Sequence, residues 1–96
     1  MEIKWLRKAL ENLDEEASYI ARDNPAAARD VVRRIHEAVM RLADHPALGR
    51  AGRVPGTREL VVAGTPYVIP YRVHTRARRI EILRVFHASR RPPRRW

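Results

Sequence analysis

Three residues near the C-terminal end could do chemistry together: Arg72, Arg84 and His87. Arg72 stands in the apolar run Tyr67 to Val73, and the other two stand in Ile80 to His87. Guanidinium groups on a scissile phosphate would carry the charge of a transition state while an imidazole moved a proton. With a ribose 2′-hydroxyl as internal nucleophile, that set suits RNA cleavage without a metal. His87 has Arg84, Arg90 and Arg91 as sequence neighbours, and its imidazole is expected to act as the base. The plain alternative is structural. His87 then ends a strand with a backbone hydrogen bond, and Arg84 pairs with Glu59 or Glu81.

Other chemistries find little support. The histidines at 36, 45, 74 and 87 form no HxxxH or HExxH pair, and the chain has no cysteine, so neither metal nor cofactor is expected. His36 lies one step off an apolar helical stripe and reads as structural. His45 precedes Pro46 and reads as a helix-end cap. There is no phosphate-cradling glycine loop and no nucleophile elbow.

The elements that position these residues follow from periodicity. The chain of 96 residues is long enough for one domain with a modest core. Met1 to Trp5 alternates weakly, as a short strand or the lead-in to a helix. Leu6, Ala9, Leu10, Leu13, Ala17 and Ile20 then recur at helical spacing. Asn24 before Pro25 is a helix start: the side chain caps, and proline at the first helical position loses no hydrogen bond. Ala28, Val31, Val32, Ile35, Val39 and Leu42 form the second stripe. These segments predict an antiparallel helical hairpin over about 6–44, a Pro/Gly loop over 45–57 bearing Arg50 and Arg53, a sheet over 58–88 and a basic tail over 89–96. In the sheet, Glu59 to Val62, Tyr67 to Val73 and Ile80 to His87 are strands. The last, apolar on both faces except at Glu81 and Arg84, is expected to be central. Pro70 has no N–H to give a ladder, so a bulge or an unpaired edge is expected there. Helices followed by strands imply an α+β fold, with the hairpin packed on one face of a mainly antiparallel sheet of three to four strands.

Charge separates the two halves. Residues 1–49 carry 8 basic and 9 acidic side chains, whereas residues 50–96 carry 12 arginines against Glu59 and Glu81 alone. Arginine's planar fork suits phosphate, so Arg58, Arg72, Arg84, Arg90 and Arg91 are candidate contacts to a polyanion or to an acidic protein. An ordinary solvated basic face is the alternative. A plain RNA-binding module is the weakest functional class, because the sheet lacks the paired surface aromatics that stack bases. No apolar run reaches the roughly 20 residues of a membrane span. The N-terminus also lacks the apolar block of a signal peptide, so a cytoplasmic protein with no membrane partner is expected.

The order of elements, together with GRVPGTRELVV, PYVIPYRV and IEILRVFHASR, resembles the RelE/ParE superfamily of bacterial type II toxins over nearly the whole chain. That resemblance implies a helical hairpin against a curved antiparallel sheet. It implies an antitoxin partner that wraps and neutralises the toxin, and operator DNA bound indirectly through that antitoxin. RelE-like members cut mRNA on the ribosome, and ParE-like members poison DNA gyrase. The ribonuclease branch typically places an arginine after the aromatic residue that opens the middle strand, whereas Val68 follows Tyr67 here. Lysines before that strand are also missing, since Lys4 and Lys8 are the only ones. The pattern is therefore ParE-like, and the resemblance implies a gyrase-inhibiting toxin. The alternative is a metal-free mRNA endonuclease using Arg72, Arg84 and His87.

Overall fold

Asn24 and Pro25 divide the first half into two helices, as their chemistry requires. In the computed structural model, which describes residues 1–90 and 95–96, Asn24 is extended and its side chain accepts from Ala27 N at 3.0 Å. Pro25 opens α2 (Pro25–Met40), and α1 (Arg7–Ala21) precedes it. Ala28, Ile35, Ala38 and Val39 of α2 are buried, but Ala9 alone of α1 is. Leu13, Ile20 and Val31 are half-covered, so the hairpin hides its apolar stripe incompletely. A short 3₁₀ turn, Arg41–Ala43, ends the second helix. His45 contributes there through its backbone N–H to Arg41 O at 3.0 Å, with its side chain exposed. His36 is also exposed.

The weak N-terminal alternation is a strand, β1 (Glu2–Trp5). It is followed, beyond the helices, by β2 (Arg50–Ala51), β3 (Arg58–Val61), β4 (Tyr67–His74), β5 (Arg79–Ile82) and β6 (Phe86–His87). The sheet runs β1-β5-β4-β3-β2, with β6 also on β4. Its pairs are antiparallel apart from β1 with β5. The sheet is thus larger than the three to four strands expected, because β1 and the two-residue β2 extend its edges.

The central strand is β4, which corrects the expectation for Ile80 to His87. β4 pairs with three strands and buries its first five residues. β5 instead alternates, with Ile80 and Ile82 buried and Glu81 half-exposed. Pro70 explains why the last run is broken in two. Leu83 N donates to Pro70 O at 2.9 Å, but Pro70 has no N–H to return. Ile82 pairs with Tyr71 and Phe86 with Val68, so Leu83, Arg84 and Val85 face only Ile69 and Pro70. The extra residue is a bulge on the strand opposite the proline.

Alternation gives the sheet two faces. Leu60, Tyr67, Ile69, Tyr71, Ile80 and Ile82 meet Ala9, Ile35, Val39 and Leu42 in the core beneath the helices. The opposite face carries Glu59, Val68, Pro70, Arg72, His74, Glu81 and Phe86. The loop before β3 is held from below: Tyr71 Oη donates to Pro46 O at 2.7 Å and accepts from Gly49 N at 2.8 Å. A side chain at Gly49 would put its Cβ 2.7 Å from the Tyr71 ring, so glycine is required there. No described helix is long and apolar enough to cross a membrane.

Candidate functional site

The expected meeting of Arg72, Arg84 and His87 does not form. His87 pairs with Tyr67 at the start of β4, and Arg72 lies five residues further along, on the opposite face. At about 3.3 Å per residue, roughly 16 Å of strand separates them, with the sheet between. Arg84 sits in the bulge, where its Nη1 donates to Leu83 O at 2.6 Å. It pairs with neither Glu59 nor Glu81.

The remaining predicted contacts divide by partner. Arg58 is turned inward, its Nη1 donating to Gly49 O at 2.8 Å and Ala47 O at 3.4 Å, so the side chain staples the loop. Arg90 Nη1 reaches Glu16 Oε2 at 2.6 Å, and this pairing raises the arginine's pKa. Arg72 stands half-exposed opposite Glu81. Arg91 lies outside the described residues.

Two clusters do assemble. The first lies where α1 meets the start of β4, in a cleft lined by Tyr19, Ile20, Val31, Tyr67, His87 and Arg90. Tyr67 Oη donates to Glu16 Oε1 at 3.1 Å, and Glu16 also holds Arg90. Burial, with the Glu16 carboxylate second, pushes the Tyr67 phenol up to about 12. The His87 ring stands edge-on to Tyr67 at 5.6 Å. Its Nδ1 accepts from Ser89 N at 3.2 Å and lies 2.7 Å from Ser89 Oγ. A backbone N–H can only donate, so this contact sets the tautomer with the proton on Nε2. In that tautomer Nε2 is a donor, and the Nδ1 lone pair is engaged by Ser89.

The second cluster covers the outer face. Glu59 is 1% exposed, yet it holds Arg50 Nη2 at 3.3 Å, Arg53 N at 2.9 Å and Arg53 Nε at 3.7 Å. The two loop arginines therefore lie over a buried carboxylate, which fixes the loop to the sheet. Further along, His74 Nε2 lies 2.8 Å from Glu81 Oε1, with Arg79 Nε at 3.6 Å from Oε2. The His74 hydrogen bond is the main cause holding the Glu81 carboxyl below its usual range. Arg53 also lies over the Phe86 ring at 5.4 Å, and Trp96 stacks on Phe86 at 5.3 Å.

Sequence reasoning missed Glu16, Tyr67 and Ser89 in the first cluster, and Phe86 and Trp96 in the second. Glu16 is 51 residues from Tyr67 and 74 from Arg90, so no local spacing could signal the contact. Among the described residues no group of histidine and carboxylate side chains is placed to hold a metal.

The family model described as the ParE toxin of type II toxin–antitoxin system, parDE, matches residues 3–92. The chain belongs to the ParE toxin family. This ParE-family toxin is 52% identical over 91 residues to the protein Y4kP of Sinorhizobium fredii, covering 95% of this chain and 92% of the relative. It is 36% identical over 89 residues to toxin RelE2 of Caulobacter vibrioides, covering 93% and 97% respectively. Its structure is similar to that of a chain in the chromosomal ParDE system of P. aeruginosa, with TM-score 0.80, 34% identity and coverage of 93% and 97%. The chain is thus a type II toxin of the RelE/ParE superfamily with that superfamily's fold.

Proposed function

We propose that this toxin arrests growth by inhibiting DNA gyrase, with a cognate antitoxin holding it inactive. The observation that carries this reading over RNA cleavage is the register of β4. Arg72 and His87 lie on opposite faces, and Ser89 engages the His87 lone pair, so the anticipated catalytic set has no common substrate position. Arg72 and Arg84 are then contacts to the target rather than catalytic groups.

The antitoxin reading rests on the hairpin. Leu10 is 50% and Tyr19 63% exposed, next to the half-covered Leu13, Ile20 and Val31. An amphipathic segment laid along these helices would complete their burial, and its acidic side chains would meet the arginine-rich half. The similar P. aeruginosa chain comes from a ParDE toxin–antitoxin system, which supports an antitoxin partner.

RNA cleavage remains the second reading for one reason. Arg90 lines both the cleft that holds His87 and the one that holds Arg84, so these three border one end of the molecule. Induction of the chain alone in bacteria separates the two. Cleaved gyrase–DNA complexes are expected before protein synthesis falls, with His87→Ala as toxic as the parent. Cut mRNA as the first event, lost in folded His87→Ala and Arg84→Ala proteins, would sink the gyrase reading.

A further inference from the structure

The outer face of the sheet carries an aromatic pair that the sequence does not announce. Phe86 projects from β6 beside Val68, and the C-terminal Trp96 stacks on it with ring planes 26° apart. Arg53 lies over the same ring, and Arg84 and Arg90 line the cleft that Phe86 and Trp96 share. An aromatic ring with guanidinium groups over and beside it is the usual surface for single-stranded nucleic acid. Bases stack on the ring whatever their sequence, and the phosphates meet the cations.

We propose that Phe86 is a stacking platform for one base of a single-stranded polynucleotide, and that Trp96 occupies the same place in the free toxin. The indole is a π-surface of base-like size, which is why it fits there. Its position is also imperfectly satisfied: Trp96 Nε1 is buried with no acceptor among the described residues. A buried donor left unpaired carries a desolvation cost, and release of the indole into water removes it. Exchange of indole for base keeps the stack and relieves that cost. Glu15 and Glu16 line the α1 side of the cleft, so the phosphates run along the Arg53 and Arg84 side. This site shares Arg84 with the gyrase contacts proposed above, but it rests on neither the gyrase nor the antitoxin reading.

Electrostatic attraction alone would draw any polyanion to so basic a chain, so the test must isolate stacking at fixed salt. Fluorescence anisotropy of the full chain with a labelled 12-mer of oligothymidylate, the matching oligouridylate and a 12-base-pair duplex provides it. Both single strands are expected to bind at least about tenfold tighter than the duplex. Phe86→Leu keeps an apolar side chain of similar reach but loses the ring, and is expected to weaken single-strand binding about tenfold while the protein still melts cooperatively within a few degrees of the parent. Trp96→Ala is expected to tighten binding several-fold, and the tighter of the two sugars identifies the strand as DNA or RNA. Duplex binding equal to single-strand binding, wild-type affinity in Phe86→Leu, or no gain in Trp96→Ala each overturns the proposal.

Discussion

The two faces of the central strand differ in kind. Tyr67, Ile69 and Tyr71 point into a core closed by two helices, and all three are almost wholly buried. The alternate residues Val68, Pro70 and Arg72 point to a face covered by a short arginine-bearing loop, Phe86 and one returning tryptophan. The inner face is held by apolar area, which is non-directional and large. The outer face also buries Val68 and Pro70 at the start of the strand, but elsewhere it is held by ion pairs around Glu59 and Glu81 and by ring contacts, which are small and local. A single strand of period two can thus anchor the fold on one side and leave the other side for recognition.

The largest expected effect is on the inner face. Ile69→Ala should cost about 2–5 kcal/mol in chemical denaturation, since the fully buried site leaves a cavity. Tyr71→Phe should follow at about 1–3 kcal/mol, because Pro46 O and Gly49 N would lose a buried partner. A comparable loss at Arg72 or Glu81, on the half-exposed stretch of the outer face, would break the comparison.

Two pH series sharpen it further. The folded-state pKa of Tyr67 is raised from 10.0 to about 12, so the unfolded chain loses that proton first. Stability should fall as pH rises from 10 to 12, and Tyr67→Phe should flatten that limb while costing about 1 kcal/mol near neutrality. Glu81 on the outer face has the opposite sign. Its depressed carboxyl contributes stability above its ordinary value of 4.5, and that contribution is lost as pH falls through the folded value. Glu81→Gln should flatten the acid limb of a thermal-melt series and change neutral stability by less than about 1 kcal/mol. An acid limb unchanged in Glu81→Gln would show that the His74 pair contributes nothing.

Much of the fold was legible in the chain because it rests on local signals. The hairpin follows from apolar spacing and from Asn24-Pro25. The missing N–H of Pro70 signalled a break, but the break falls on the facing strand, while Tyr67–His74 stays continuous. The centre of the sheet was not legible. Ile80 to His87 looks apolar on both faces, but Leu83 and Val85 fall in the bulge, and counting residues cannot show that a strand changes register midway. The site was less legible still. Arg58, Arg72 and Arg84 are alike as letters, yet one binds loop carbonyls, one stands opposite a carboxylate and one folds onto its own strand.

What the sequence by itself determined is whatever depends on neighbours within a few residues: the two helices, the cap between them, the alternating strands and the gathering of charge in the second half. Only the tertiary structure decided which strand is central, which arginines are committed to structure, and that Glu16 reaches Tyr67 and Arg90 while Trp96 returns to Phe86. The physical reason is reach. Periodicity and capping act across a few bonds, whereas a side-chain partner tens of residues away exists only once packing has brought the two elements together.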